Sequence, residues 1–143
     1  QRREANIAAV KRLFHAFNAR DPDAVAEACQ IDGVIFVMAH SRLPGSGEFR
    51  GRAEIREWAQ VCFQAYLAEP VTEDICQVNA EDDLVFVRLK RSKLEYLPNG
   101  QQANVTLMSE FAIRDNRIAV LQIYPESGAL EQMAFMLTGT NAG

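Results

Sequence analysis

Between Phe17 and Val25 the chain reads Phe17-Asn18-Ala19-Arg20-Asp21-Pro22-Asp23-Ala24-Val25, and this short segment limits the fold more than any other. An Asp side chain accepts the orphan N–H groups at a helix start, and a Pro placed after it has no N–H to satisfy. One helix therefore closes and another opens at Asp21-Pro22. Upstream, Ile7, Val10, Leu13, Phe14 and Phe17 recur at helical spacing and predict an amphipathic helix from about Glu4 to Arg20. Pro22 to Cys29 reads as a short second helix, and Gly33 to Ala39 is an apolar run of strand length. His40 to Gly51 carries Pro44, Gly45, Ser46 and Gly47 and reads as a loop. From Arg52, a third helix sets Ile55, Trp58, Ala59, Cys62, Phe63 and Tyr66 on one face, and Pro70 ends it.

The remainder reads as sheet. Val71 to Asn79, Leu84 to Leu97, Gln102 to Arg114 and Arg117 to Tyr124 are strand candidates, separated by Glu81-Asp82-Asp83, Pro98-Asn99-Gly100-Gln101 and Asp115-Asn116. With Asn99 and Gly100 as the two residues of a type I′ turn, Leu94 faces Val105, Phe86 faces Ile113 and Leu89 faces Glu110. Alternation then gives one sheet face Phe86, Leu94, Val105, Leu107, Phe111 and Ile113. The other carries Val85, Val87, Leu89, Met108 and Ala112 with one acid, Glu110. A bulge in strands this long would exchange part of this assignment. Both faces are apolar and helices cover only one, so a homodimer through the first set is expected.

A chain of 143 residues, 48% hydrophobic, has the size and core of one α+β domain spanning 1–143. Its net charge of −4, from 19 acidic and 15 basic residues spread along the chain, offers no basic stripe for nucleic acid. No run reaches the ~18 apolar residues of a membrane span. Three dispersed cysteines, Cys29, Cys62 and Cys76, two of them on apolar helix faces, point to a reducing, cytoplasmic compartment. The chain starts at Gln1, as a trimmed or partial chain does. There is no G-x-S-x-G elbow or phosphate loop, and Gly45-Ser46-Gly47 runs on to Arg50 where a dinucleotide fingerprint needs Gly. Two histidines and no Cys-x-x-Cys give no basis for a metal site, and no organic cofactor is expected. Acid–base chemistry or plain binding is what remains.

The Phe14-to-Val25 and Gly51-to-Trp58 segments together resemble the opening of an NTF2-like (cystatin-like) domain, and the similarity runs from about Ala5 to Leu130. The resemblance, to the superfamily of ketosteroid isomerase and the SnoaL-like polyketide cyclases, implies a cone. Three N-terminal helices would pack on a curved, mostly antiparallel sheet around one cavity for a small apolar molecule. It also implies chemistry of the cofactor-free isomerase, cyclase or dehydratase kind on a carbonyl-bearing substrate, although the same fold hosts binding and dimerisation domains. The ketosteroid isomerase machinery needs a Tyr, an Asp base and a neutral sheet acid, a system whose protonated Asp is a standard case of a carboxyl kept neutral. Those positions fall on Leu13, Met38 and Glu110, so two of the three groups are replaced by side chains that move no proton.

Three catalytic candidates follow. Glu110, in an apolar strand face, is expected to lose hydration and hold its proton as an acid or oxyanion donor, unless a bulge turns it outward or Arg91 pairs with it. Glu126 lies near the acid of the cyclase branch, and equally reads as a carboxylate capping a C-terminal helix that begins near Gly128. His40, at the mouth of the cone, is either a base or a loop histidine. The substrate-lining candidates are Trp58, Tyr66, Phe17, Met38, Leu89, Met108 and Arg91. The last belongs to a basic run with Arg88, Lys90 and Lys93 and reads first as solvated or interface charge, with an anionic substrate group as the alternative partner.

Overall fold

The computed structural model describes residues 2–138. Among them the elements run α1 (Arg2–Asn18), α2 (Pro22–Glu27), β1 (Cys29–Val37), β2 (Gly47–Arg50), α3 (Gly51–Ala65), β3 (Tyr66–Leu67), β4 (Thr72–Asn79), β5 (Leu84–Tyr96), β6 (Gln101–Arg114), β7 (Arg117–Pro125) and α4 (Ala129–Thr138). The break between the first two helices is built as its residue types dictate. Arg20 takes a left-handed φ of 57° to end α1, and the Asp21 side chain accepts from the Ala24 N–H at 3.1 Å to start α2. A cap of this kind contributes about 1 kcal/mol. Cys29 opens β1 rather than closing a helix, because α2 stops at Glu27.

Seven strands form one curled sheet in the order β2-β1-β7-β6-β5-β3, with β4 also on β5. Only β1 and β7 run parallel. The segment expected as loop up to Gly51 yields β2, whose backbone pairs with Val34 to Val37 of β1.

The β5–β6 hairpin departs from the expected register in two places. Its turn is Leu97 to Gly100, closed by Tyr96 opposite Gln101, and of the two central residues expected at positive φ only Gly100 has it, at 73°. The loop is thus two residues longer than a type I′ turn, which slides the partners without changing faces. Ser92 and Lys93 then bulge against the single residue Asn104, with Lys93 at φ 53° and its N–H on the Asn104 side-chain oxygen at 2.9 Å. A bulge of one residue reverses the facing of everything beyond it. Leu89 pairs with Leu107, Val87 with Ser109 and Val85 with Phe111, all on the concave face. Phe86 pairs with Glu110 and Arg88 with Met108 on the outer face.

The six side chains expected to form a dimer surface are therefore divided. Val105, Phe111 and Ile113 are buried inside, whereas Phe86 faces out. The concave face carries the core: Val10, Leu13 and Phe14 of α1 and Ile55, Trp58 and Ala59 of α3 pack on Val85, Val87, Phe111 and Leu121. Phe14 meets Phe111 edge-on, with ring centroids 5.6 Å apart. Towards the hairpin end the helices give way to a second cluster, in which α4 lays Met133 and Met136 over Ala103 and Val105 beside Leu43.

Candidate ligand cavity

Between these two clusters the concave face is left partly unfilled, and a cavity of about 150 Å³ remains. An engineered apolar cavity of about this size takes up one benzene ring. Its floor is sheet: Leu89, Arg91 and Leu94 from β5, Leu107 and Phe111 from β6, Ile123 from β7. One wall is α1 and α3, with Phe17 set between Trp58 (ring centroids 5.6 Å) and Phe63 (4.9 Å). Leu43, Pro44 and Gly45 of the loop after β1, with Met133 of α4, complete the lining.

The loop that carries Leu43, Pro44 and Gly45 is tied down by the two polar aromatics of α3 and its end. Trp58 donates its indole N–H to the Gly45 carbonyl at 3.1 Å, and Tyr66 donates its phenol to the Pro44 carbonyl at 2.8 Å. Gly45 is required twice over. Its φ is 91°, and a Cβ there would stand 3.0 Å from the Cys62 sulfur.

Four lining groups can do polar chemistry besides Trp58. Burial pushes the Cys62 thiol up to about 12, with Arg91 pulling it back, and burial likewise raises the Tyr66 phenol well above its ordinary range. Both are neutral at physiological pH. Arg20 spends its guanidinium on the carbonyls of Phe63 and Tyr66 and lies over the Phe63 ring, 5.1 Å from its centroid. Arg91, half-buried, sits 5.4 Å from the Phe17 ring centroid, and no carboxylate among the described residues pairs with it. Burial lowers its value from the ordinary one and Arg20 lowers it further, yet an Arg keeps its charge in any physiological buffer.

Of the expected lining residues, Phe17, Trp58, Tyr66, Leu89 and Arg91 border the cavity. Met38 does not: its side chain is 56% exposed, although its N–H holds the Ile123 carbonyl at 2.8 Å. Met108 and Glu110 do not either, since the bulge in β5 turns the face they share outward. There Glu110 accepts from the Tyr124 phenol at 3.4 Å, and burial together with Glu110 raises that phenol's value. Glu126 pairs with Arg88 on the same outer side, so its carboxylate neither enters the cavity nor caps α4. His40 organises its own loop, its Nδ1 accepting from the Arg42 N–H at 3.2 Å and its carbonyl from the Ser46 hydroxyl at 2.9 Å. The three carboxyl and imidazole candidates are thus not brought together. Arg20 went unread in the sequence: it lies past the end of α1 at a left-handed φ, so helical spacing does not give its direction.

A curled mixed sheet clasping a helix-walled cavity is the NTF2-like fold. The chain belongs to the SnoaL-like domain family, whose model matches residues 10–121. A provisionally assigned isomerase from Bacillus subtilis is similar at 14% identity over 94% of this chain and 96% of that one, with a TM-score of 0.78. A provisionally assigned polyketide cyclase from Xanthomonas campestris pv. campestris reaches 20% over 92% and 98%, at 0.74. TerC, co-crystallised with polyporic acid, reaches 17% over 94% and 98%, at 0.71. At these identities the likeness speaks for the fold. Comparison with curated proteins gives no match. No helix among the described residues is long and apolar enough to cross a membrane.

Proposed function

We propose that the chain binds a small, largely apolar molecule inside the cone. The observation that carries this reading is the make-up of the cavity wall: aromatic and aliphatic side chains with a few polar groups, and neither carboxylate nor imidazole among its described lining residues. Removing a proton from carbon needs a base that is free at working pH, and the Cys62 thiol and Tyr66 phenol are both held protonated. The co-crystallisation of TerC, which shares the fold, with polyporic acid supports this reading. A second copy of the chain, expected from the sequence, would have the outer face of Phe86, Met108 and Tyr124 to pack on, and sedimentation tests it.

A catalytic version is favoured by the family placement and by the names isomerase and polyketide cyclase among its structural neighbours. In it Arg91 stabilises a developing oxyanion and the proton acceptor belongs to the substrate itself.

Trp58 is the chain's one tryptophan and lines the cavity, so its emission and its indole N–H resonance report entry of a ligand. Titration with indole, benzoate and benzamide is expected to give a saturable change in the Trp58 indole N–H resonance that Leu107→Phe, which fills the space, abolishes. No saturable response to any of the three probes overturns the reading.

A further inference from the structure

Arg91 is out of place in this cavity by every rule that shapes the rest of it. It stands on the concave face of β5 opposite Val105, between a floor and walls of aliphatic and aromatic side chains. What faces it is known from each element packed around it: the Phe17 ring from α1, the neutral Cys62 thiol from α3, and a second cation, Arg20, from the end of α1. All six ion pairs among the described residues lie elsewhere, and Arg91 makes no side-chain hydrogen bond there. A charge partly withdrawn from water with no partner carries a cost, and a neutral side chain of equal length would fill the position without it.

We infer that the ligand of this cavity is an organic monoanion: a ring-sized apolar body bearing one planar carboxylate-like group, which pairs with Arg91. This rests on the ligand-binding reading above and narrows it to a chemical class. The guanidinium fork matches two coplanar oxygens, and a carboxylate meeting it forms two charge-assisted hydrogen bonds instead of one. The Phe17 ring covers one side of Arg91 and so leaves the fork's edge as the approach for the acid. Arg20, two of whose N–H groups go to the Phe63 and Tyr66 carbonyls, adds positive potential on the same side of the cavity. A volume of about 150 Å³ admits one six-membered ring, and so one acid at the Arg91 fork. Neutral molecules of equal shape leave the guanidinium unpaired and must desolvate it, so they are selected against by the same residue.

The test is a comparison of benzoate with its isosteric amide, benzamide, on the wild-type chain, Arg91→Met and Arg91→Lys, read at the Trp58 indole N–H. Indole serves as the neutral control. Wild type is expected to bind benzoate at least tenfold more tightly than benzamide. Arg91→Met is expected to lose that preference while still binding indole, which shows its cavity intact, and Arg91→Lys to keep a reduced preference. Equal binding of acid and amide by wild type, or a preference that survives in Arg91→Met, overturns the inference and leaves the ligand-binding reading standing. Failure of indole, benzoate and benzamide alike overturns both.

Discussion

Tyr66 and Pro44 lie 22 positions apart in sequence and are joined by a hydrogen bond of 2.8 Å, phenol to carbonyl, that holds a cavity-lining loop against the end of α3. Trp58 makes the parallel bond to Gly45 one residue further along. The loop's position is therefore set by two aromatic donors whose rings also form the cavity wall. Tyr66→Phe keeps the ring and removes one donor, leaving the Pro44 carbonyl unpaired at a half-buried site, at a cost of about 1 kcal/mol. Faster amide exchange at Leu43 and faster release of bound indole are expected. Unchanged exchange at Leu43 would mean that the loop is held by other contacts.

Arg91 bears on stability in the opposite sense to most charged residues. With no carboxylate opposite it in the empty cavity, its charge is a cost to the fold, so Arg91→Met is expected to melt at or above the wild-type temperature. In a chain of this size each kcal/mol gained appears as a rise of about 2–4 °C. Benzoate should raise the wild-type midpoint and leave that of Arg91→Met unmoved. A clear fall in the midpoint of the empty variant would assign Arg91 a structural partner and remove the reason for an anionic ligand.

Burial raises Cys29 and Cys62 from 9.0 to about 12, and raises Tyr66 as well. A group whose native value stands above its unfolded value contributes stability that is intact below the unfolded value and lost as pH climbs towards the native one. Urea midpoints are therefore expected to hold through neutral pH and to fall from about 9 towards about 12. The Cys29→Ala/Cys62→Ala chain should lose part of that slope. Within the native protein, thiol reagents at neutral pH should modify exposed Cys76 well before Cys62.

How much of this was legible follows from the range of each interaction. The Asp21 cap, the α1 and α3 stripes and the existence of the β5–β6 hairpin rest on residues within one or two turns of each other, and local pattern finds them. The bulge at Ser92 and Lys93 contains no glycine to announce it. It is held instead from outside the strand, by the Asn104 side chain on the Lys93 N–H and by the Glu69 N–H on the Ser92 carbonyl at 3.1 Å. Both partners are distant or across the ladder, so β5 alone reads as uninterrupted alternation. That single inserted residue leaves Phe86 outside, as expected, but brings Val105, Leu107 and Phe111 onto the concave face with Leu89 and leaves Glu110 facing Phe86 on the outside. The cavity cation was within reach of the alternation pattern, whereas the loop that carries Pro44 and Gly45 is placed by bonds to Trp58 and Tyr66 that no local signal encodes.

Glu110 provides the sharpest check on this placement. An acid expected in the cavity and found on the outer face should be dispensable for anything the cavity does. Glu110→Gln keeps the shape, keeps an acceptor for the Tyr124 phenol across β6 and β7, and removes only the charge. Benzoate affinity at the Trp58 probe should therefore stay within about twofold of wild type, since exposed charges are screened over ~8–10 Å of salt solution. The Tyr124 phenol, held up partly by the neighbouring carboxylate, should titrate at lower pH in the variant, because the negative charge that opposes its ionisation is gone. Absorbance titration of the tyrosines measures that shift directly. A tenfold loss of benzoate binding with the Tyr124 titration unmoved would put Glu110 back on the concave side and with it overturn the bulge-determined facing of β5 and β6.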